Sequence, residues 1–193
     1  PWKAVGTIPR DILTNQYASS ADKQRQNAYG YFAIDEIIKE FKPDVYIGIE
    51  DIWGLELWEK PWWKITNPMI WTTLDSLPIL DRAWKGAEKT ENFYVWASFA
   101  EKAMKEKGYN NVGTLHGSID TKTFFKLPDE KRYILRKRFG IKEEDFIIGF
   151  VFRNQLRKSV PNLLDGFNIF RKDNPNAKLL LHTHWGEGWN INK

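Results

Sequence analysis

The chain has 193 residues, of which 42% are hydrophobic and 28% charged, so it is long enough to bury a core of its own. It holds no cysteine, which excludes a disulfide framework and a thiolate zinc site. Its 29 Lys and Arg against 25 Asp and Glu give a formal charge of +4 with the two signs interspersed, which argues against direct nucleic-acid binding.

The first part of the sequence alternates predicted helices and strands. Apolar residues at helical spacing predict a helix over 24–41, which Pro43 ends. Short apolar runs predict buried parallel strands over 45–49, 69–73, 93–97 and 112–115. Ser98 followed by Glu101 predicts a capping box at the helix after the third strand, and Gly108 suits the end of that helix.

An irregular stretch over 116–127 separates this series from a second one. Its turn residues and lack of periodicity predict a connection between two domains, 1–122 and 123–193. Beyond it the patterns predict a helix over 129–139, a strand over 146–152, a helix over 161–172 capped by Ser159, and a strand over 177–182. Helices alternating with strands in this way indicate βαβ units and an α/β fold with parallel sheets.

The segment from Ile147 to Lys158 combines a buried strand with a basic turn that leads into a helix. Ligands of open α/β sheets bind beyond the carboxyl ends of the strands, and a helix N-terminus favours an anion. Arg153 offers a planar fork to phosphate oxygens, and Lys158 adds a second positive charge. The pattern fits a diphosphate site; a solvated basic loop is the alternative that the residues alone leave open.

These residues resemble the start of the donor domain in glycosyltransferase family 4, the group 1 glycosyltransferases, which place an Arg at the end of the first donor strand and a Lys five positions on. The runs 97–101, 116–124 and 174–179 resemble further motifs of that family, and the likeness covers 69–182. It implies two Rossmann-like domains of the GT-B type. The paired glutamates of the late donor domain have no match here, so we expect both domains to be incomplete and the chain to be a central piece.

The resemblance implies an enzyme that moves a sugar from a nucleoside diphosphate sugar to an acceptor in a cleft between the domains, with retention and without a metal or other cofactor. Arg153, Asn154 and Lys158 would bind the donor diphosphate. The acceptor would be a carbohydrate, a lipid or another glycosyl acceptor. No apolar run approaches the ~20 residues of a membrane span and no signal-peptide pattern opens the sequence, so we expect a cytoplasmic protein, with peripheral membrane contact left open.

The acceptor side is predicted at the ends of two strands. Asp51 and Trp53 follow the first strand, where a carboxylate suits a sugar hydroxyl and an indole suits a sugar ring; capping of a helix by Asp51 is the alternative. Leu74 stands where many relatives carry a His, so the resemblance leaves Asp75 as the candidate catalytic residue. A turn-forming role is the alternative for Asp75.

Three other interpretations stay open at this stage. His182 and His184 lie two apart on a strand and would share one face, as metal ligands do, although the sequence suggests no third ligand. The tryptophans at 53, 58, 62, 63 and 71 serve either core packing or sugar stacking. A nucleotide-sugar-binding fragment without catalysis, or a sugar-nucleotide enzyme such as an epimerase, is the alternative to a transferase.

Overall fold

The computed structural model describes residues 4–6, 26 and 28–190, and the chain divides into two compact units, Pro1–Ile119 and Asp120–Lys193. The division falls inside the stretch 116–127 that the sequence marks as a connection. Both units are mixed α/β with parallel strands, a fold compatible with the Rossmann-like class.

Unit 1, Pro1–Ile119, is built on a parallel sheet. Among its described residues four strands pair in the order β1-β2-β3-β4, which are Ile47–Asp51, Met69–Thr73, Asn92–Val95 and Val112–Thr114. Within residues 29–119 the helices of unit 1 are α1 (Ile34–Phe41), α2 (Asp81–Lys89) and α3 (Ser98–Lys105), with 3₁₀ turns at Ile52–Gly54 and Trp63–Thr66. A strand order that runs in one direction is what one half of a doubly wound sheet gives.

The core of unit 1 lies on one face of this sheet. Alternate strand residues point to opposite faces, and Ile70, Phe93 and Val95 are buried on the face that α3 packs against, whereas Ile47 and Ile49 on β1 are exposed. Val112 of β4 is also buried, and the remaining buried apolar side chains come from the turns, loops and helices: Ile52, Leu55, Leu57, Trp58, Trp63, Leu74, Ile79, Ala83, Ala87, Ala100 and Met104. Apolar burial therefore holds unit 1 together.

The sequence predictions of a helix and of a helix cap in unit 1 need correction. The helix predicted over 24–41 is interrupted: Gln26 and Ala28 are helical, a turn follows at 29–33, and α1 begins at Ile34. Residues 24, 25 and 27 lie outside the described residues. The predicted capping box at Ser98 is wrong, because the helix already includes Ser98 and Ala97 is the cap residue. Glu101 instead accepts hydrogen bonds from Lys105 Nζ, at 2.6 Å, and from the Thr114 hydroxyl of β4.

Unit 2, Asp120–Lys193, contains α4 (Asp129–Arg138), β5 (Phe146–Val151), a 3₁₀ turn (Leu156–Lys158), α5 (Val160–Asp173) and β6 (Ala177–His182). Among the described residues β5 and β6 form a two-stranded parallel sheet, in register from Phe146 opposite Ala177 to Val151 opposite His182. Ser159 is the cap residue of α5 as predicted, with Pro161 in its first turn, but at φ 48° its side chain makes no capping hydrogen bond within the described chain.

Polar contacts tie the elements of unit 2 to each other. Arg136 on α4 donates to the backbone oxygens of Lys142, at 2.6 Å, and Asp145, at 2.7 Å. The buried Asp145 carboxylate pairs with Lys178 of β6 and accepts the Lys142 N–H at 2.8 Å. In the described part of the chain no helix is long and apolar enough to cross a bilayer.

Candidate functional site

The carboxyl ends of β1 and β2 bring polar side chains together in unit 1. Asp51 ends β1 and stands opposite Thr73, which ends β2. The Thr73 hydroxyl donates to the Asp51 carboxylate, and Asp75 follows two residues later as an exposed side chain. Asp51 occupies the cap position of the 3₁₀ turn at 52–54, yet its carboxylate turns to Thr73, so the capping alternative does not describe it.

A cavity of about 120 Å³ opens between these two strand ends. All three residues predicted for the acceptor side line it, together with Thr73 and Ser76 as further polar groups. The whole lining is Asp51, Ile52, Trp53, Thr73, Leu74, Asp75, Ser76 and Leu80. None of these described lining residues is basic, so the cavity is negatively charged and suits a neutral or cationic group better than an anionic one.

Trp53 forms an aromatic wall of this cavity. Its ring stands edge-on to Tyr29, with centroids 4.8 Å apart at an interplanar angle of 87°. Partial burial raises the pKa of the Tyr29 phenol, and the negative charges of Glu50 and Asp51 add to the effect. Trp53 is half-buried, so part of its surface remains accessible in the cavity that Asp51 and Asp75 also line.

The other four tryptophans of the cluster have structural contacts. Trp58 and Trp63 are buried in the core, and Trp63 donates its indole N–H to Lys89 O at 3.0 Å. Trp62 donates its indole N–H to Asp35 at 2.7 Å. Trp71 stacks on Trp96 with ring centroids 4.9 Å apart. Core packing therefore accounts for most of the aromatic cluster, and Trp53 alone of these five lines the cavity at the strand ends.

In unit 2 the predicted diphosphate residues lie in the segment that joins β5 to α5. The strand ends at Val151, Arg153 follows in an exposed position, and Lys158 closes the 3₁₀ turn directly before Ser159 and α5. The predicted order of strand, basic turn and helix is therefore present, but the prediction that the strand is buried is wrong, since Phe146 and Val151 are exposed. The first amides of α5 and the two cations lie within one short segment, an arrangement that suits an anion.

Arg153 already engages a carboxylate. Its Nε donates to Glu187 Oε2 at 2.7 Å and its Nη2 donates to Glu187 Oε1 at 3.2 Å, so one edge of the guanidinium meets both carboxylate oxygens. This hydrogen-bonded pair raises the pKa of Arg153 and lowers that of Glu187. Glu187 lies 34 residues away in sequence, so no local pattern predicts the pair.

Asn154 has a different place from the one that the sequence suggested. Its side chain is fully buried and donates to the backbone oxygens of Glu187 and, at 2.8 Å, Trp189. Its Oδ1 accepts the Trp189 N–H at 3.2 Å. Both amide N–H groups are thereby used inside unit 2, so Asn154 holds the loop after β6 and does not present a donor to a phosphate in this conformation.

The two histidines considered as metal ligands lie at the same end of unit 2. His182 ends β6 opposite Val151, and His184 follows beyond the strand. Among the described residues no group of three or more His, Asp or Glu side chains is placed to hold a metal ion. Neither histidine therefore enters the site proposed below.

Comparison with known proteins returned no match, either to a protein-family model or to a curated protein. The candidate site residues in each unit therefore rest on the geometry at the carboxyl ends of its strands. Four residues near these strand ends were not predicted from the sequence: Tyr29, Thr73, Glu187 and Trp189. The position of Thr73 could have been predicted from the sequence, because it ends the strand 69–73, whose bounds were predicted correctly, and the neighbouring strand ends at Asp51.

Proposed function

We propose that the protein acts in glycosyl transfer, with a nucleoside diphosphate sugar as donor and a hydroxyl-bearing acceptor, in the manner of the two-domain GT-B enzymes. The observation that carries the proposal is the basic segment after β5, where Arg153 and Lys158 flank a turn into the N-terminus of α5. This segment supports binding of a diphosphate because charge-assisted hydrogen bonds, fixed cations and helix amides all favour the same ligand.

The reaction would break the bond between the sugar C1 and the diphosphate oxygen and form a bond from C1 to the acceptor oxygen. The electron pair of the broken bond leaves with the diphosphate, whose negative charge grows as the bond opens. Arg153 and Lys158 would stabilise that charge, as fixed positive groups do at a developing anion. This role requires no metal ion.

The cavity of unit 1 supports the acceptor side of the proposal. Asp51 and Asp75 offer carboxylate oxygens to hydroxyl groups, and Trp53 offers an aromatic face to the apolar side of a ring. The acceptor hydroxyl must lose its proton during transfer, and Asp75, the exposed carboxylate of the pair, is our candidate to receive it. A neutral sugar fits this acidic cavity better than a phosphorylated one.

Donor affinity tests the proposal. Calorimetry with UDP-, GDP- and ADP-glucose at one fixed ionic strength should show that Arg153→Ala weakens binding on the order of 30-fold, since one charge-assisted pair is lost. Lys158→Ala should weaken binding less, because an ammonium contacts a phosphate as a point charge and does not form the paired hydrogen bonds of a guanidinium. Arg153→Lys should recover little of the loss, since an ammonium cannot reproduce the guanidinium fork.

Arg171→Ala is the matched control, because it removes the same charge from the exposed far end of α5. It should leave affinity unchanged. Equal affinity in Arg153→Ala, Lys158→Ala and the parent protein for all three sugar nucleotides would refute the diphosphate site. Donor binding without transfer or hydrolysis would instead support a binding module, and an isomerised sugar nucleotide formed without acceptor would support an epimerase.

A further inference from the structure

The loop that follows β6 lies on the segment proposed to bind the donor. This latch loop, residues 183–189, begins where His182 of β6 pairs with Val151 of β5 and contacts the β5–α5 segment through side chains and backbone. Trp189 donates its indole N–H to Leu156 O, in the 3₁₀ turn, at 3.0 Å. The latch loop and the proposed phosphate contacts therefore share the same edge of the unit 2 sheet.

Glu187 of this loop engages Arg153 in the way that a phosphate would. Both carboxylate oxygens accept hydrogen bonds from the guanidinium, at 2.7 and 3.2 Å. A guanidinium binds carboxylates and phosphates through the same paired geometry, so the two anions compete for the same N–H groups. Glu187 thus occupies one edge of the guanidinium, two of the five N–H groups through which Arg153 can bind a diphosphate.

The position of Glu187 is fixed by the backbone of the latch loop. The Asn154 side chain forms hydrogen bonds with the backbone of Glu187 and of Trp189, the two neighbours of Gly188. Gly188 has φ +62°, and a Cβ at this position would overlap the Asn154 backbone oxygen. Only glycine suits a left-handed conformation in such close contact. The loop is therefore built to hold this carboxylate beside Arg153, which distinguishes it from a chance surface ion pair.

We propose that Glu187 is an internal competitor that occupies the anion-binding fork of Arg153, and that a nucleoside diphosphate binds by displacing it. The inference rests on the proposed function, since it takes Arg153 as the phosphate contact. Apparent affinity then equals the intrinsic affinity multiplied by the fraction of molecules in which Glu187 has left Arg153. Because the Arg153 side chain is 68% exposed and that of Glu187 is 41% exposed, solvent weakens the ion pair, so the competition is moderate and a diphosphate can overcome it.

Glu187→Gln tests the competition directly, with UDP and inorganic pyrophosphate as probes. The amide keeps the shape of the side chain but removes the charge, so both probes should bind roughly three- to tenfold more tightly. Glu144→Gln is the matched control, because it removes one negative charge from an exposed position of the same unit, 3.8 Å from Lys142. Its affinity should stay within about twofold of the parent protein.

Two further variants separate charge from position. Glu187→Asp keeps the charge on a side chain one methylene shorter, which cannot reach both N–H groups, so we expect an intermediate gain. Gly188→Ala keeps Glu187 but forces the loop away from Asn154, so we expect a gain similar to that of Glu187→Gln. The Arg153 Nε–H resonance should shift in each variant before any probe is added, because its carboxylate partner has moved or changed.

The outcomes distinguish this inference from the function on which it rests. Binding that depends on Arg153 in the parent protein but is unchanged or weaker in both Glu187→Gln and Gly188→Ala would overturn the competition and leave the donor site standing. An equal gain in Glu144→Gln would also overturn it, as a general charge effect. Binding in neither the parent protein nor Glu187→Gln would overturn both claims, since removal of the carboxylate should expose the site.

Discussion

The two units use different interactions beneath a similar arrangement of helices and parallel strands. Unit 1 buries a continuous apolar cluster in which Phe93 and Ile70 are fully enclosed, whereas in unit 2 Phe146 is 60% exposed and Val151 77% exposed. The described contacts of unit 2 are largely polar, with Asp145 and Asn154 among its few buried side chains. Yet both units place their candidate site residues at the carboxyl ends of their strands, so the candidate sites follow from topology and not from the kind of core.

A matched pair of phenylalanine substitutions tests whether the two units differ in their cores. Phe93→Ala removes a fully buried ring from β3 and should lower the free energy of unfolding of unit 1 by about 3–5 kcal/mol. Phe146→Ala removes an exposed ring from the start of β5 and should cost under about 1 kcal/mol in unit 2. Amide hydrogen exchange measures the two units separately. Equal losses in both would show that the two units do not differ in this way.

A smaller effect is expected from the phenol of Tyr46, which packs against Trp62 and Trp63 in unit 1. Burial raises the pKa of Tyr46 from 10.0 to about 12. The folded state therefore keeps its proton between pH 10 and 12, while the unfolded state loses it, so stability is full below pH 10 and falls as pH rises to 12. The loss should amount to roughly 2–3 kcal/mol.

Tyr46→Phe isolates this effect from the other groups that titrate at alkaline pH. The difference in unfolding free energy between the parent protein and Tyr46→Phe should change across pH 10–12 and stay constant below pH 9. Chemical denaturation at a series of pH values gives this difference. A difference that does not vary with pH would mean that the phenol is not shielded from solvent.

Much of the fold could be predicted from the sequence, because apolar runs and turn residues record local structure. The strands at 69–73 and 177–182 have the predicted bounds, and the helix from Asp129 ends within a residue of its prediction. Helix α2 was not predicted, since its buried positions are Ala83, Gly86 and Ala87, whose small side chains give a weak hydrophobic period. A Cβ at Gly86 would lie 3.2 Å from both Phe93 and Trp58, so this helix packs closely.

The candidate sites show a similar limit. Asp51, Trp53 and Asp75 were predicted from their positions after strands, and parallel pairing brings them to one cavity. The partner of Arg153 and the burial of Asn154 were beyond the sequence, because both depend on a loop more than 30 residues away that folds back onto the strand end. Local pattern locates a site in such folds, whereas long-range contacts decide which of its side chains are available.

The central claim is that the segment between β5 and α5 binds a nucleoside diphosphate. Backbone amide chemical shifts, recorded as UDP, GDP or ADP is added to the full chain, test it most directly. If the segment binds the diphosphate, the largest changes should fall on residues 153–162 and on the latch loop. Unchanged amide shifts at residues 153–162, with changes confined to a second basic surface of unit 2, would contradict the proposed site. That surface is the groove lined by Arg132, Arg136, Lys137 and Lys142.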